Sequence, residues 1–168
     1  MGGLTPDHIF EKTENITPAF LRQRGIRVLA LDVDNTLTTH GNMAVSASMR
    51  EWIAAMQQAG IGLMIVSNNK FTRVSPLAIN LGLPYTSFAI KPLARGFLDV
   101  CRYFGVSAKE MAVVGDQIFT DVLGGNLFGA TTILVQPIRI EKTTYFKVKR
   151  RLEKPFVNRY YKRGGRLL

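Results

Sequence analysis

The chain has 168 residues, 46% of them apolar and 20% charged, which suits one globular domain with a core of useful size. It has no run of 18 apolar residues, and its opening MGGLTPDHIFEKTEN has neither a basic nor an apolar signal region, so spanning helices and secretion are not expected and the protein should begin in the cytosol. The single cysteine, Cys101, rules out an internal disulfide framework, and the net charge of +10 is uneven, with eleven Lys or Arg between Arg139 and Leu168 against Glu141 and Glu153.

Residues 1–25 read as an irregular lead-in with one short helix over Pro18 to Arg24, and the acceptor-like Asn15-Ile16-Thr17 is treated as chance. Ile26 to Leu31 is a continuous apolar run leading into Asp32, the pattern of a buried parallel strand. Further strands are expected at Ile61–Val66, Phe88–Ile90, Met111–Val114 and Thr131–Val135. Helices are expected between them, around Ser46–Gln58, Thr72–Leu81, Ala94–Phe104 and Thr120–Phe128, with Gly60, Gly82, Gly105 and Gly129 near their ends. Residues 26–136 thus form the body. Residues 137–168 are a basic, aromatic-rich segment in which Pro155 should break any single long helix.

This alternation is that of an α/β protein with right-handed crossovers and an open parallel sheet covered on both faces. In such sheets the ligand sits beyond the carboxyl ends of the strands. The residues there are Asp32-Val33-Asp34-Asn35-Thr36, Ser67-Asn68-Asn69, Lys91-Pro92 and Gly115-Asp116-Gln117 through Asp121. Asp32 and Asp34 are close enough to repel each other, and Asp116 can add a third carboxylate at the same edge. Oxygen ligands of this kind suit Mg²⁺ better than zinc. Ser67 and Lys91 add a hydroxyl and a cation, which together with the metal make a phosphate pocket. His8 and His40 read as ordinary polar loop residues and Cys101 as a buried thiol. Plainer readings stay open at each position: a strand-end cap for Asp32 and Asp34, a helix cap for Ser67, a solvated loop lysine for Lys91, and a helix-start carboxylate for Asp121.

The four blocks DVDNTLT from Asp32, Ser67 in VSNN, Lys91 before Pro92 and GDQIFTD from Gly115 resemble, in order, the motifs of the haloacid dehalogenase (HAD) superfamily of aspartate-nucleophile phosphohydrolases, with its Rossmann-like fold. The resemblance implies that Asp32 attacks phosphorus and that Asp34 protonates the leaving oxygen and then deprotonates water. It further implies that Asp32, the Asp34 carbonyl and Asp116 hold Mg²⁺, that Ser67, Asn68 and Lys91 bind the phosphoryl group, and that Asp121 orients Lys91 or a metal-bound water. Asn35 and Thr36 would fix the turn.

The intervals from Asp34 to Ser67 and from Ser67 to Lys91 are 33 and 24 positions, too short for an inserted cap domain, so the pocket should be open and suited to a phosphate carried on something large. Ile16-Thr17-Pro18, Arg24-Gly25-Ile26, Ala89-Ile90-Lys91-Pro92 and the long GDQIFTD block resemble the YqeG-like, phosphatidylglycerophosphatase-type branch of class IIIA. The implied reaction removes the terminal phosphate of phosphatidylglycerophosphate to give phosphatidylglycerol. The basic segment 139–168 could hold such an enzyme peripherally on the anionic inner face of the cytoplasmic membrane, at about 1 kcal/mol per cation, or its apolar residues could simply pack on the body. Rival readings are a phosphatase of nucleotides, nucleic-acid ends or phosphoproteins, and a catalytically idle RNA- or ribosome-binding module.

Overall fold

The computed structural model describes residues 3–140 and 143–168. Its centre is a sheet of six parallel strands: β1 (His8–Phe10), β2 (Val28–Leu31), β3 (Gly62–Val66), β4 (Tyr85–Thr86), β5 (Met111–Gly115) and β6 (Thr131–Val135), in the order β1-β6-β5-β2-β3-β4. The helices are α1 (Pro18–Arg22), α2 (Ala47–Gln58), α3 (Phe71–Leu81), α4 (Arg95–Phe104), α5 (Leu123–Phe128) and α6 (Thr144–Lys162). Side chains alternate along each strand, and each face buries its own set. Leu29, Leu31, Leu63 and Ile65 meet Trp52, Met56, Val74 and Leu77 of α2 and α3. Val28, Ala30, Met64 and Val66 meet Phe97 and Val100 of α4 on the other face. Both faces are buried, which is why the strands read as continuous apolar runs.

Local signals account for the helix ends. Thr17 and Ser46 accept hydrogen bonds from the backbone N–H groups of Phe20 and Met49, capping α1 and α2, and Pro18 occupies the first turn of α1. At the end of α3, Gly82 turns the chain with φ 64°, a conformation that a side chain would strain.

Four features differ from the sequence expectations. First, the lead-in supplies the edge strand β1, which extends the sheet beyond residues 26–136; it also holds the site from behind, through Thr13 Oγ1 donating to the Thr36 carbonyl at 2.9 Å and Trp52 Nε1 donating to that of Ile16 at 2.8 Å. His8 consequently lies in a strand. Second, Phe88–Ile90 is not a strand. The strand is the short β4 just before it, and residues 88–90 form a loop in which Phe88 and Ile90 adopt φ 48° and 55°. Third, the expected helix at Thr120 is preceded by a π-helical turn, Ile118–Val122, before α5 begins.

Fourth, α6 runs unbroken through Pro155. A proline removes one helix hydrogen bond and crowds the preceding turn. Here it stands on the exposed side, while Phe156, Val157 and Tyr160 pack beside Ile9, Ile118 and Leu134 and hold the two halves in line. Beyond α6 the chain returns to β1: Leu168 N donates to the Ile9 carbonyl at 3.0 Å and Glu11 N to that of Leu168 at 2.9 Å, closing an otherwise open sheet edge. The last residues are structurally part of the body. Cys101 is half-buried on α4. Among the described residues no helix is long and apolar enough to cross a membrane.

Candidate active site

Asp32, Ser67 and Asp116 follow directly on β2, β3 and β5, which brings the three to one edge of the sheet. Asp32 N still donates to the Val114 carbonyl at 2.9 Å, so this carboxylate is placed by the sheet ladder itself. Lys91 comes from the loop after β4. Its backbone is fixed by Asn68, whose Oδ1 accepts from Lys91 N at 2.6 Å and whose Nδ2 donates to the Lys91 carbonyl at 3.1 Å. Asn68, expected among the phosphate ligands, uses its side chain here to place the lysine. Lys91 Nζ then donates to Asp32 Oδ1 and to Asp121 Oδ1, both at 2.6 Å. Ser67 is buried, and its Oγ accepts from Asn69 N at 3.2 Å.

Asp34 faces a different set of partners. Its Oδ2 accepts from Asn69 Nδ2 at 2.6 Å, its Oδ1 from the Arg73 guanidinium at 2.8 Å and from Gly41 N at 3.3 Å, and His40 Nδ1 lies 3.6 Å away. His40, expected to be an ordinary loop residue, therefore borders the site. Asn35, with φ 59°, bends the chain after Asp34; its own carbonyl accepts from Ile138 N and its side chain from Arg139 N.

These surroundings set the charges. Burial pushes the Asp32 carboxyl up to about 6, with Lys91 pulling the other way and Asp121 adding to the rise. Burial also opposes the charge on Lys91, but Asp121 and Asp32 outweigh it and hold the ammonium protonated above the ordinary lysine range. For Asp34, burial is overcome by the hydrogen bonds from Arg73 and Asn69, which hold it below the usual carboxylate range. Asp116 is pushed up to about 8, chiefly by burial, although Arg150 opposes this.

The residue that sequence reasoning missed is Arg150, on α6. Its guanidinium grips both Asp116 Oδ2 and the Asp116 carbonyl, and donates to Glu153 Oε2 at 3.0 Å. Buried Glu153 in turn accepts from Ile118 N at 2.9 Å, and Lys149 reaches Gln117. No local pattern links position 150 to position 116; the sole cue is the spacing of Arg150 and Glu153, which allows an i, i+3 pair on a helix. Arg73 is similarly hidden, although it falls in the first turn of the helix that follows Ser67-Asn68-Asn69.

Asp32, Asp116 and Asp121 bring carboxylate oxygens within 4.8 Å of one another, and Asp116 Oδ1 is buried without a hydrogen-bond partner among the described residues. An orphaned buried carboxylate oxygen in an all-oxygen cluster fits a hard divalent cation. The Asp34 carboxylate is not in this cluster, being turned toward Asn69 and Arg73. Asp32, Asp34, Ser67 and Lys91 line a cleft of about 130 Å³ together with Asn68, Asn69, His40, Gln117 and Thr120. A wider groove of about 470 Å³ borders the neighbouring 37–44 loop but holds none of the clustered carboxylates.

Residues 4–139 match the family model described as mitochondrial PGP phosphatase. The chain belongs to the PGP phosphatase family. It is 33% identical over 159 residues to the Bacillus subtilis protein named "Probable phosphatase YqeG", covering 95% of this chain and 92% of that one. It is 27% identical over 154 residues to "Phosphatidylglycerophosphate phosphatase 1, chloroplastic/mitochondrial" of Arabidopsis thaliana, across 86% of this chain but 44% of that longer protein. A Streptomyces avermitilis protein assigned to the HAD hydrolases shares the fold, with TM-score 0.54 and 20% identity over 66% of this chain and 67% of that one. The protein is a phosphatase of this family with the fold seen in that HAD hydrolase, and its acidic cluster could hold a metal ion.

Proposed function

We propose that this PGP phosphatase family member hydrolyses the terminal phosphomonoester of phosphatidylglycerophosphate, releasing phosphatidylglycerol and inorganic phosphate. The observation that carries the phosphoryl chemistry is the Lys91 ammonium, seated at 2.6 Å from both Asp32 and Asp121 within the cleft lined by Ser67. The lipid substrate is supported by the family match and the Arabidopsis relative.

A phosphoryl group entering the cleft meets the Lys91 ammonium, the Ser67 hydroxyl and the backbone N–H groups of the strand-end turns, which stabilise charge on its equatorial oxygens. An Asp32 carboxylate oxygen attacks phosphorus, the bond to the leaving oxygen breaks, and Asp34 supplies the proton that makes the departing group an alcohol. In the second step Asp34 takes a proton from water, the water oxygen bonds to phosphorus, and the Asp32–phosphorus bond breaks to release phosphate. The low-lying Asp34 carboxyl suits the base half of this cycle; the acid half requires a proton gained when Arg73 and Asn69 let go. Asp32, Asp116 and the Asp34 carbonyl would hold Mg²⁺, which when bound supplies positive charge against the attacked phosphoryl group. Asp121 keeps Lys91 in place.

The cleft has room for about four water molecules' share of liquid volume, so the diacylglycerol part of the substrate must remain outside it. Exposed Tyr145, Val148 and Leu152 on α6, interleaved with Lys147, Arg151 and Lys154, suit attachment to an anionic membrane surface. The test is phosphate release from phosphatidylglycerophosphate in mixed micelles against a panel of sugar phosphates and nucleotides, with Asp32→Asn as blank. Turnover of the lipid far above the panel is expected; equal or lower turnover overturns the lipid assignment.

A further inference from the structure

Apolar side chains stand exposed on the segments that carry the charged cleft. Met43, Phe71, Phe88, Ile90, Leu93 and Ile138 are between 41 and 61% exposed. They come from four different segments, and each is tied to the site. Met43 contacts Arg73, the partner of Asp34. Phe88 N donates to the carbonyl of Asn69, another Asp34 partner, and Leu93 N donates to that of Ile90, next to Lys91. Ile138 N donates to the Asn35 carbonyl, and Phe71 opens α3 just after the Ser67 turn. Apolar side chains exposed together on segments bonded to a charged site suit an interaction surface.

The loop at Phe88–Ile90 shows that this surface is held at a cost. Phe88 and Ile90 have φ 48° and 55°, a left-handed backbone that bulky residues avoid and that is worst for β-branched isoleucine. The two turns point Ala89 into the core and Phe88 and Ile90 out to solvent on either side of it. A fold optimised for stability would carry Gly or Asn there. Exposed Lys70, Arg95 and Arg139 stand in the same segments as the apolar side chains, a complement to anionic headgroups.

We propose that Phe88 and Ile90, with the other side chains of this surface, dip into the outer layer of an anionic bilayer and dock the cleft face-down on it, so that a membrane-borne phosphate reaches Lys91 without the lipid leaving the membrane. This rests on the lipid-phosphate reading above and adds the surface and orientation by which the substrate is met. Docking itself does not depend on turnover. It is measured on the full-length Asp32→Asn protein with vesicles of phosphatidylglycerol and phosphatidylcholine. In a Phe88→Trp version, emission from the introduced indole should shift to the blue and be quenched by lipids brominated high on the acyl chain, while Trp52, buried and bonded to Ile16, stays unquenched as the internal control.

The double variant Phe88→Asn, Ile90→Asn, which suits the left-handed backbone, should melt no lower than the parent. It should bind anionic vesicles at least tenfold more weakly and, made in the protein that keeps Asp32, lose lipid turnover in vesicles yet keep turnover of a soluble aryl phosphate. If the introduced indole stays unquenched on bound vesicles, or if the Asn variant binds vesicles as well as the parent, the docking surface is overturned. Quenching of that indole with no hydrolysis of phosphatidylglycerophosphate in any presentation upholds the docking surface and overturns the substrate assignment instead.

Discussion

Replacing Arg150 with methionine tests whether α6 belongs to the metal site. The Asp116 and Glu153 side chains are 0% and 4% exposed, and Arg150 is the cation between them at 31%. Removing one partner of a buried pair costs about 3–5 kcal/mol, because the other charge is left uncompensated. The partial exposure of the guanidinium puts the expected loss at the lower end, about 3 kcal/mol, and methionine keeps most of the apolar stem, so little cavity cost is added. With a urea slope of about 2 kcal/mol/M the midpoint should fall by about 1.5 M. The pH dependence is the sharper signature. Beside Arg150 the metal-free Asp116 carboxyl sits at about 8, and without that cation it rises further, so at pH 9 the variant must either keep a proton that the parent releases or bury an unpaired charge, whereas at pH 6 the group holds its proton in both proteins. The loss should therefore shrink to about 1–2 kcal/mol at pH 6, the scale of lost hydrogen bonds. Urea unfolding followed by the single tryptophan, Trp52, at the two pH values measures both quantities. A midpoint at pH 9 unchanged from the parent, or an equal loss at both pH values, would refute the contact and the charge assignment together.

The raised Asp116 carboxyl also predicts that cation binding displaces a proton. Affinity for Mg²⁺ or Mn²⁺ should rise about tenfold per pH unit up to roughly pH 8 and then level off, with matching proton release in calorimetry. The same group binds its proton more tightly folded than unfolded, so its contribution to the stability of the metal-free protein is complete below about pH 4 and is lost as pH rises through 8; denaturant midpoints across that window measure it. Gly115→Ala would drive a Cβ into the Asp121 carboxyl group, so Asp121 must shift and take Lys91 with it; turnover should fall at least a hundredfold while circular dichroism shows the fold retained. A chain ended at Gln136 should lose cooperative unfolding and aggregate, because removing α6 exposes Ile9, Ile118 and Leu134 and reopens the β1 edge; a truncated protein that unfolds as sharply as the parent would contradict the packing described here.

This last expectation departs from what the basic segment suggests as a string of residues. Its eleven cations and interleaved aromatics read as a detachable tail, and Pro155 as a break. Neither property is local: whether Phe156 and Tyr160 face lipid or protein depends on a neighbour more than a hundred positions away at Ile9, and whether Pro155 ends a helix depends on what braces the turns around it. Asn68 carries the same lesson at the site, since its place in the motif gives no hint that its amide meets the Lys91 backbone.

Sequence alone determined the α/β class and the positions of Asp32, Ser67 and Asp116 at strand ends, because strands buried on both faces must be apolar throughout and the first polar residue after each marks where the sheet stops. It also pointed to phosphoryl chemistry, because the residue types are themselves the chemistry. Tertiary structure decided the edge strand at His8–Phe10, the outward loop at Phe88 and Ile90, the capture of Asp34 by Arg73 and the grip of Arg150 on Asp116. Each of these balances a local cost, in strain, desolvation or lost helix bonding, against contacts from distant parts of the chain, and such a balance exists only once the chain has closed on itself.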